Sequence, residues 1–216
     1  MADANMLNTA DMSTTDARAR RAERQAVAQA LQGTALDWFA IDASPAWVAL
    51  PAAERDALCA HAGAWWLAAS LRGCIDGKRL TRVHDLLGEV RLNALRDAPA
   101  IARAEALGQA PTPLLPAADD VPRHLVACGR ALLGWRLPAA VRGPVLRQLG
   151  WPTDADPGHH AAFAAHPDWA RQALQIALGH EPPPAQAANT VTLSLKLEQA
   201  DALADPGHAP LQPAAE

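Results

Sequence analysis

Eight histidines and three cysteines are the side chains with the widest chemical range in this chain. Imidazole and thiolate are the usual donors of zinc sites and the usual pair of a thiol nucleophile. Spacing decides whether they can act together. His124 and Cys128 stand at i, i+4 and share one face of a helix, whereas Cys59 and His61 at i, i+2 cannot. No Cys-x-x-Cys or His-Glu-x-x-His spacing occurs, so no metal site is expected. Ser70 sits in an apolar run without a Gly-x-Ser-x-Gly turn, and no cysteine has a recognisable base partner. Gly73 and Gly77 lack the Lys-Ser/Thr that completes a phosphate cradle. Asp76 reads as a turn residue, and His159 and His160 as solvated loop residues. No catalytic residue, cofactor site or metal site is therefore assigned.

The elements that would carry such groups are helical. Nearly every position from Ala57 to Leu71 is apolar or small, as expected of a central helix with neighbours all round. Pro51 suits its first position, and the Asp76-Gly77 pair marks the turn after it. Leu80, Val83 and Leu87 then predict a short amphipathic helix capped by Gly88. Val90, Leu92 and Leu95 continue the period, Pro99 interrupts it, and Gly108 ends it. Residues 109–118, with three prolines, read as a connection. Val121, Leu125, Cys128, Leu132 and Trp135 form a core-facing helical stripe. A further helix carries Val141, Val145, Leu146 and Leu149, kinked or restarted at Pro144. Residues 153–165 read as turns, and Pro167 opens the last helix, through Trp169 and Ile176 to Gly179.

Upstream, residues 1–12 read as a loose tail. A helix capped at Ser13, Thr14 or Thr15 runs to about Leu31 and carries Arg18, Arg20, Arg21 and Arg24. That basic face is either solvated or turned toward an acidic partner or membrane surface. Trp38, Phe39, Ile41, Trp47, Val48 and Leu50 fall in two short helices split at Ser44-Pro45; they read as core, with a docking surface as the alternative. Downstream, Pro182, Pro183 and Pro184 stiffen a linker, and residues 190–197 alternate as a strand would. The expected fold is all-α: an irregular multi-helix bundle over 34–180, a tail and basic helix over 1–33, and over 181–216 a linker, a strand candidate and a disordered tail.

Composition narrows the function. The net charge is −4 and the pI near 6.0, without the basic footprint of a nucleic-acid binder. Seven Trp, two Phe and no Tyr leave large-side-chain packing to tryptophan. Three scattered cysteines read as buried reduced thiols. The N-terminal stretch lacks the apolar segment of a signal peptide, and Ala57–Leu71 is too short to span a bilayer, so a soluble cytoplasmic protein without membrane insertion is expected. Arg72, Lys78, Arg79 and Arg82 cluster around Asp76 at the central turn. With Asp76, Asp85 and Glu89 they form a solvated ion-pair surface or, more sharply, a docking face anchored by arginines and Trp47.

Three stretches carry a family resemblance: Trp47-Val48-Ala49-Leu50-Pro51 leading into the Ala/Trp helix; Leu71-Arg72 to Ile75-Asp76-Gly77, followed by Leu80 and Leu86-Leu87-Gly88; and Gly129 to Leu133, Leu137-Pro138, Val141-Arg142 and Leu146 to Leu149. Their order, over roughly residues 34–180, resembles the SctK (YscK, OrgA/MxiK) family of type III secretion proteins, most of all its Hrp branch. The resemblance implies a non-enzymatic adaptor of the cytoplasmic sorting platform. It would link a SctQ-like pod protein, and through it SctL and the SctN ATPase, to the SctD-like inner-membrane ring protein. It transfers no contact residue. Competing readings are a type III secretion chaperone, expected to be a shorter α/β dimer, and an enzyme of unknown type.

Overall fold

Two backbones in direct contact set the geometry of the molecule. The computed structural model describes residues 4–153 and 157–179, and their described secondary structure is entirely helical. The helices are α1 (Ala4–Ala30), α2 (Trp38–Asp42), α3 (Ala52–Trp66), α4 (Ala68–Arg72), α5 (Gly77–Leu87), α6 (Glu89–Asp97), α7 (Pro99–Ala106), α8 (Val121–Arg136), α9 (Ala139–Gln148), α10 (Pro157–Ala165) and α11 (Pro167–Ala177). Single 3₁₀ turns at Ala46–Ala49 and Ala118–Asp120 join them. The chain partitions into Met1–His180 and Glu181–Glu216; the second part, with the strand candidate at 190–197, lies outside the described residues.

The most extensive helix contact is α3 against α8. A methyl group added at Gly63 would overlap the Leu125 carbonyl of α8, and one added at Gly129 would overlap the Cys59 carbonyl of α3. Glycine disfavours helix interiors, and here the close crossing makes it necessary. Around this crossing Cys59, Ala60, Ala62 and Ala64 of α3 meet Leu125, Cys128 and Leu132 of α8, all buried. Burial pushes the Cys59 thiol up to about 12, so it stays protonated.

Tryptophans fasten the outer elements to this pair. The Trp169 indole N–H of α11 donates to the Trp66 carbonyl of α3 at 3.1 Å. Phe163 of α10 meets the Trp66 ring edge-to-face, with centroids 4.7 Å apart. Trp47 stacks on Trp151 at 5.7 Å, tying the segment before α3 to the one after α9. Val27 near the end of α1 and Leu31 just after it are both buried, and α1 packs along the 3₁₀ turn that holds Trp47 and Val48.

Several boundaries differ from expectation. The first helix begins at Ala4 rather than near Ser13, because no Gly or Pro interrupts the chain before Gly33. The central apolar run is two helices, broken at Leu67. Residues 157–165 are helical, not turns: Pro157 stands at the first helical position and an alanine-rich stretch follows. Elsewhere the expected stops hold, with Gly33, Gly88 and Gly108 at positive φ. Pro144 sits inside an unbroken α9.

The crossing dictates opposite outcomes for glycine-to-alanine changes. Gly129→Ala and Gly63→Ala should each destabilise by about 3 kcal/mol or more, because overpacking against backbone outweighs the gain in helix propensity. At Gly134 the added carbon meets only the Leu146 methyls, Cδ2 at 3.3 Å and Cδ1 at 3.7 Å, so Gly134→Ala should lie within about 1 kcal/mol of wild type. Urea unfolding of the three variants checks the contrast.

Candidate functional site

The cationic cluster at the central turn is where sequence spacing placed a docking face, and its members divide by what they touch. Asp76 caps α5, accepting from the Lys78 amide at 2.9 Å and the Arg79 amide at 3.4 Å. Arg72 Nη1 donates to the Ala98 carbonyl at 3.2 Å, and its Nε lies 3.8 Å from Glu105. Arg79 Nε donates to the Pro116 carbonyl at 2.8 Å. Arg82 pairs with Asp119 at 2.7 Å, and Ser70 Oγ donates to the Pro113 carbonyl at 2.7 Å. Together Ser70, Arg79 and Arg82 hold the proline-rich connection against α4 and α5. Its prolines lack an N–H and its carbonyls have no helical ladder, so side-chain donors take that place.

Trp47 lies in the core, 6% exposed, with its ring against Trp151. Lys78 remains on the surface beside Ile75, which is 98% exposed. The segment expected as core divides the same way. Trp47 and Val48 are buried, whereas Trp38 and Phe39 on α2 are 75% and 87% exposed. Asp37 caps this helix by accepting from the Ala40 amide, and Arg24 pairs with Asp42 at 3.1 Å, so both aromatics are held outward beside the arginine face of α1. Arg18, Arg20 and Arg21 are exposed and form no ion pair among the described residues.

The histidine–cysteine chemistry also resolves. His124 and Cys128 do share a face of α8, and α10 brings His159 to them. Cys128 Sγ lies 3.5 Å from His124 Nε2 and 3.2 Å from His159 Nε2. His159 and His160 are thus half-buried on a helix rather than solvated in a loop. The loop assignment failed because only the tertiary packing of Phe163 on Trp66 shows that 157–165 has a buried face. The imidazole centroids are 6.3 Å apart, and among the described residues no group of three or more His, Cys, Asp or Glu is placed to hold a metal. Burial, reinforced by the nearby His159, lowers the His124 pKa. The thiol is buried, so it offers no accessible nucleophile.

His61 is a second histidine held neutral. Its Nε2 accepts from the Trp65 indole N–H at 2.9 Å. Burial lowers its pKa, with Arg91 adding to the effect and a hydrogen bond to the Ala177 backbone opposing it. No helix among the described residues is long and apolar enough to cross a membrane. No family model, curated protein or solved structure matches the chain.

Two outcomes follow from these contacts. Arg79→Ala should release residues 109–117, seen as faster amide hydrogen exchange there and a loss of about 1 kcal/mol, whereas Lys78→Ala should cost less than about 0.5 kcal/mol. His61 and His124 have folded-state pKa values below the unfolded value, so on acidification the unfolded chain takes up protons first. Stability should therefore be full above about pH 6.5 and decline as pH falls below it. Gln at position 61 keeps an acceptor for Trp65 but does not titrate, so the melting temperature of His61→Gln should fall less than that of wild type between about pH 7.5 and 5.5.

Proposed function

We propose that this protein is a non-enzymatic docking scaffold, and specifically a cytoplasmic adaptor of a type III secretion sorting platform. It would join a SctQ-like pod protein to a SctD-like inner-membrane ring protein, reach SctL and SctN indirectly, and lie at the cytoplasmic face of the inner membrane through those partners. The observation that carries the docking reading is the outward-facing Trp38 and Phe39, with Trp38 beside Arg21 of α1, which is exposed and forms no ion pair among the described residues. Exposing two such rings is costly in water, and Trp and Arg are the side chains that most often anchor interfaces. Ile75 and Lys78 offer a second, smaller contact at the central turn. The identity of the partners rests on the order of the three sequence stretches that resemble the SctK family. The all-helical fold suits that family better than an α/β chaperone.

Co-purification from native cells with mass-spectrometric identification tests the proposal. A pod or ring protein should be recovered, and Trp38→Ser with Phe39→Ser should reduce recovery at least about tenfold without changing the circular dichroism spectrum. Recovery of secreted effectors alone would support a chaperone and reject the adaptor.

A further inference from the structure

Residues 16–26 of α1 are all exposed, and the helix meets the core at Val27. A groove of about 470 Å³ runs where α1 approaches α2. Val27, Ala28, Trp38 and Ile41 give it an apolar side, and Arg21, Glu23, Arg24 and Asp42 also line it.

The charges on this part of α1 divide by their neighbours. Arg24 is matched by Asp42 at 3.1 Å. Arg20 has Asp16 four residues before it and Glu23 three after, so carboxylates share its flank of the helix. Arg18 and Arg21 have no acidic residue three or four positions away on either side, and they stand three apart from each other. Like charges at that spacing repel. Both are exposed, and neither forms an ion pair among the described residues. Arg18, Arg21, Gln25 and Ala28 follow at spacings of three, four and three, a single row that runs into the groove beside Trp38.

A row that reads basic, basic, polar, small and ends at an indole has a definite complement. It is a second helix with two carboxylates one turn apart, followed by apolar side chains. A lipid surface fits less well, because it is anionic throughout and Glu23 and Asp42 of the same groove would be set against it. We propose that this groove receives an acidic amphipathic helix of a partner protein, lying along α1 with its carboxylates on Arg18 and Arg21 and its apolar side on Ala28, Trp38 and Ile41. Exposed ion pairs contribute little each, so the aromatic contact supplies most of the affinity and the two cations set orientation and on-rate. The inference rests on the docking reading of the α1–α2 surface and adds the partner's chemistry; it does not depend on the partner being a secretion protein.

Fluorescence anisotropy of the full chain with labelled synthetic helical peptides of about 18 residues, a length of about 27 Å, tests it. One peptide carries Glu at i, i+4 beside a leucine stripe, a second has Lys in place of Glu, and a third is the first with its sequence scrambled. The acidic peptide should bind with a Kd of about 100 μM or tighter, and the other two at least about tenfold more weakly. Trp38→Ser should weaken the acidic peptide at least about tenfold. Arg18→Glu with Arg21→Glu should reverse the preference toward the Lys peptide, whereas Arg20→Glu should change affinity by less than about threefold. All these positions are exposed, so circular dichroism should be unchanged. No binding of the acidic peptide, equal binding of the Lys peptide, or a preference that survives the double reversal overturns the proposal. Tighter association with phosphatidylglycerol vesicles than with the acidic peptide overturns it in favour of a membrane, and a dimer in sedimentation that Trp38→Ser dissolves overturns it in favour of a second copy. Co-purification that returns no pod or ring protein leaves the peptide results standing, so the two readings fail separately.

Discussion

The contact of α3 with α8 at Gly63 and Gly129 is the constraint on which the other elements depend. With no side chain between the two backbones, the helices approach until carbonyl oxygens occupy the space a methyl would need. Small residues around the crossing then close the gap on both sides, which is how an alanine-rich sequence still buries its central helices. Each alanine buries little area, so the tryptophans and Phe163 supply the large contacts that bind α10, α11 and the segments around Trp47 and Trp151 to the central pair.

A helical protein with many short elements also has many carbonyls outside any ladder. Arginine meets that need repeatedly here. Arg55 donates to Leu50, Arg72 to Ala98, Arg79 to Pro116, and Arg142 to Trp135 and Leu137, each time at a turn or connection. A forked guanidinium reaches carbonyls while keeping part of its surface in water, which a compact ammonium does less well. The near-absence of lysine, with only Lys78 and Lys196, therefore has a structural use whatever its origin. Arginines that resemble a charged surface in the sequence are in large part structural donors, and the exposed face moves to α1 and α2.

That division bears on function. A scaffold works through groups it does not need for itself, and among the described residues the groups left over include Trp38, Phe39, Ile75, Val90, Leu114, Lys78 and the α1 arginines Arg18, Arg20 and Arg21. His124, His159 and Cys128 come together as a half-buried cluster that joins α8 to α10, and His61 links two turns of α3 and reaches α11.

Helical class, the positions of most helices and their stops were legible from the chain, because hydrophobic period, proline and glycine act over a few residues. The stripe from Val121 through Leu132 and the Gly88 stop of α5 are examples. Other properties arise only when distant segments meet. Nothing near Gly63 or Gly129 in the sequence announces that each needs to be glycine; the reason is a carbonyl on another helix. Trp38 and Trp47 have similar local surroundings, yet one faces water and the other stacks on Trp151, far along the chain. The helix at 157–165 and the meeting of His159 with Cys128 were hidden for the same cause: burial is a property of the assembled fold, and local pattern reports it only where the period is strong.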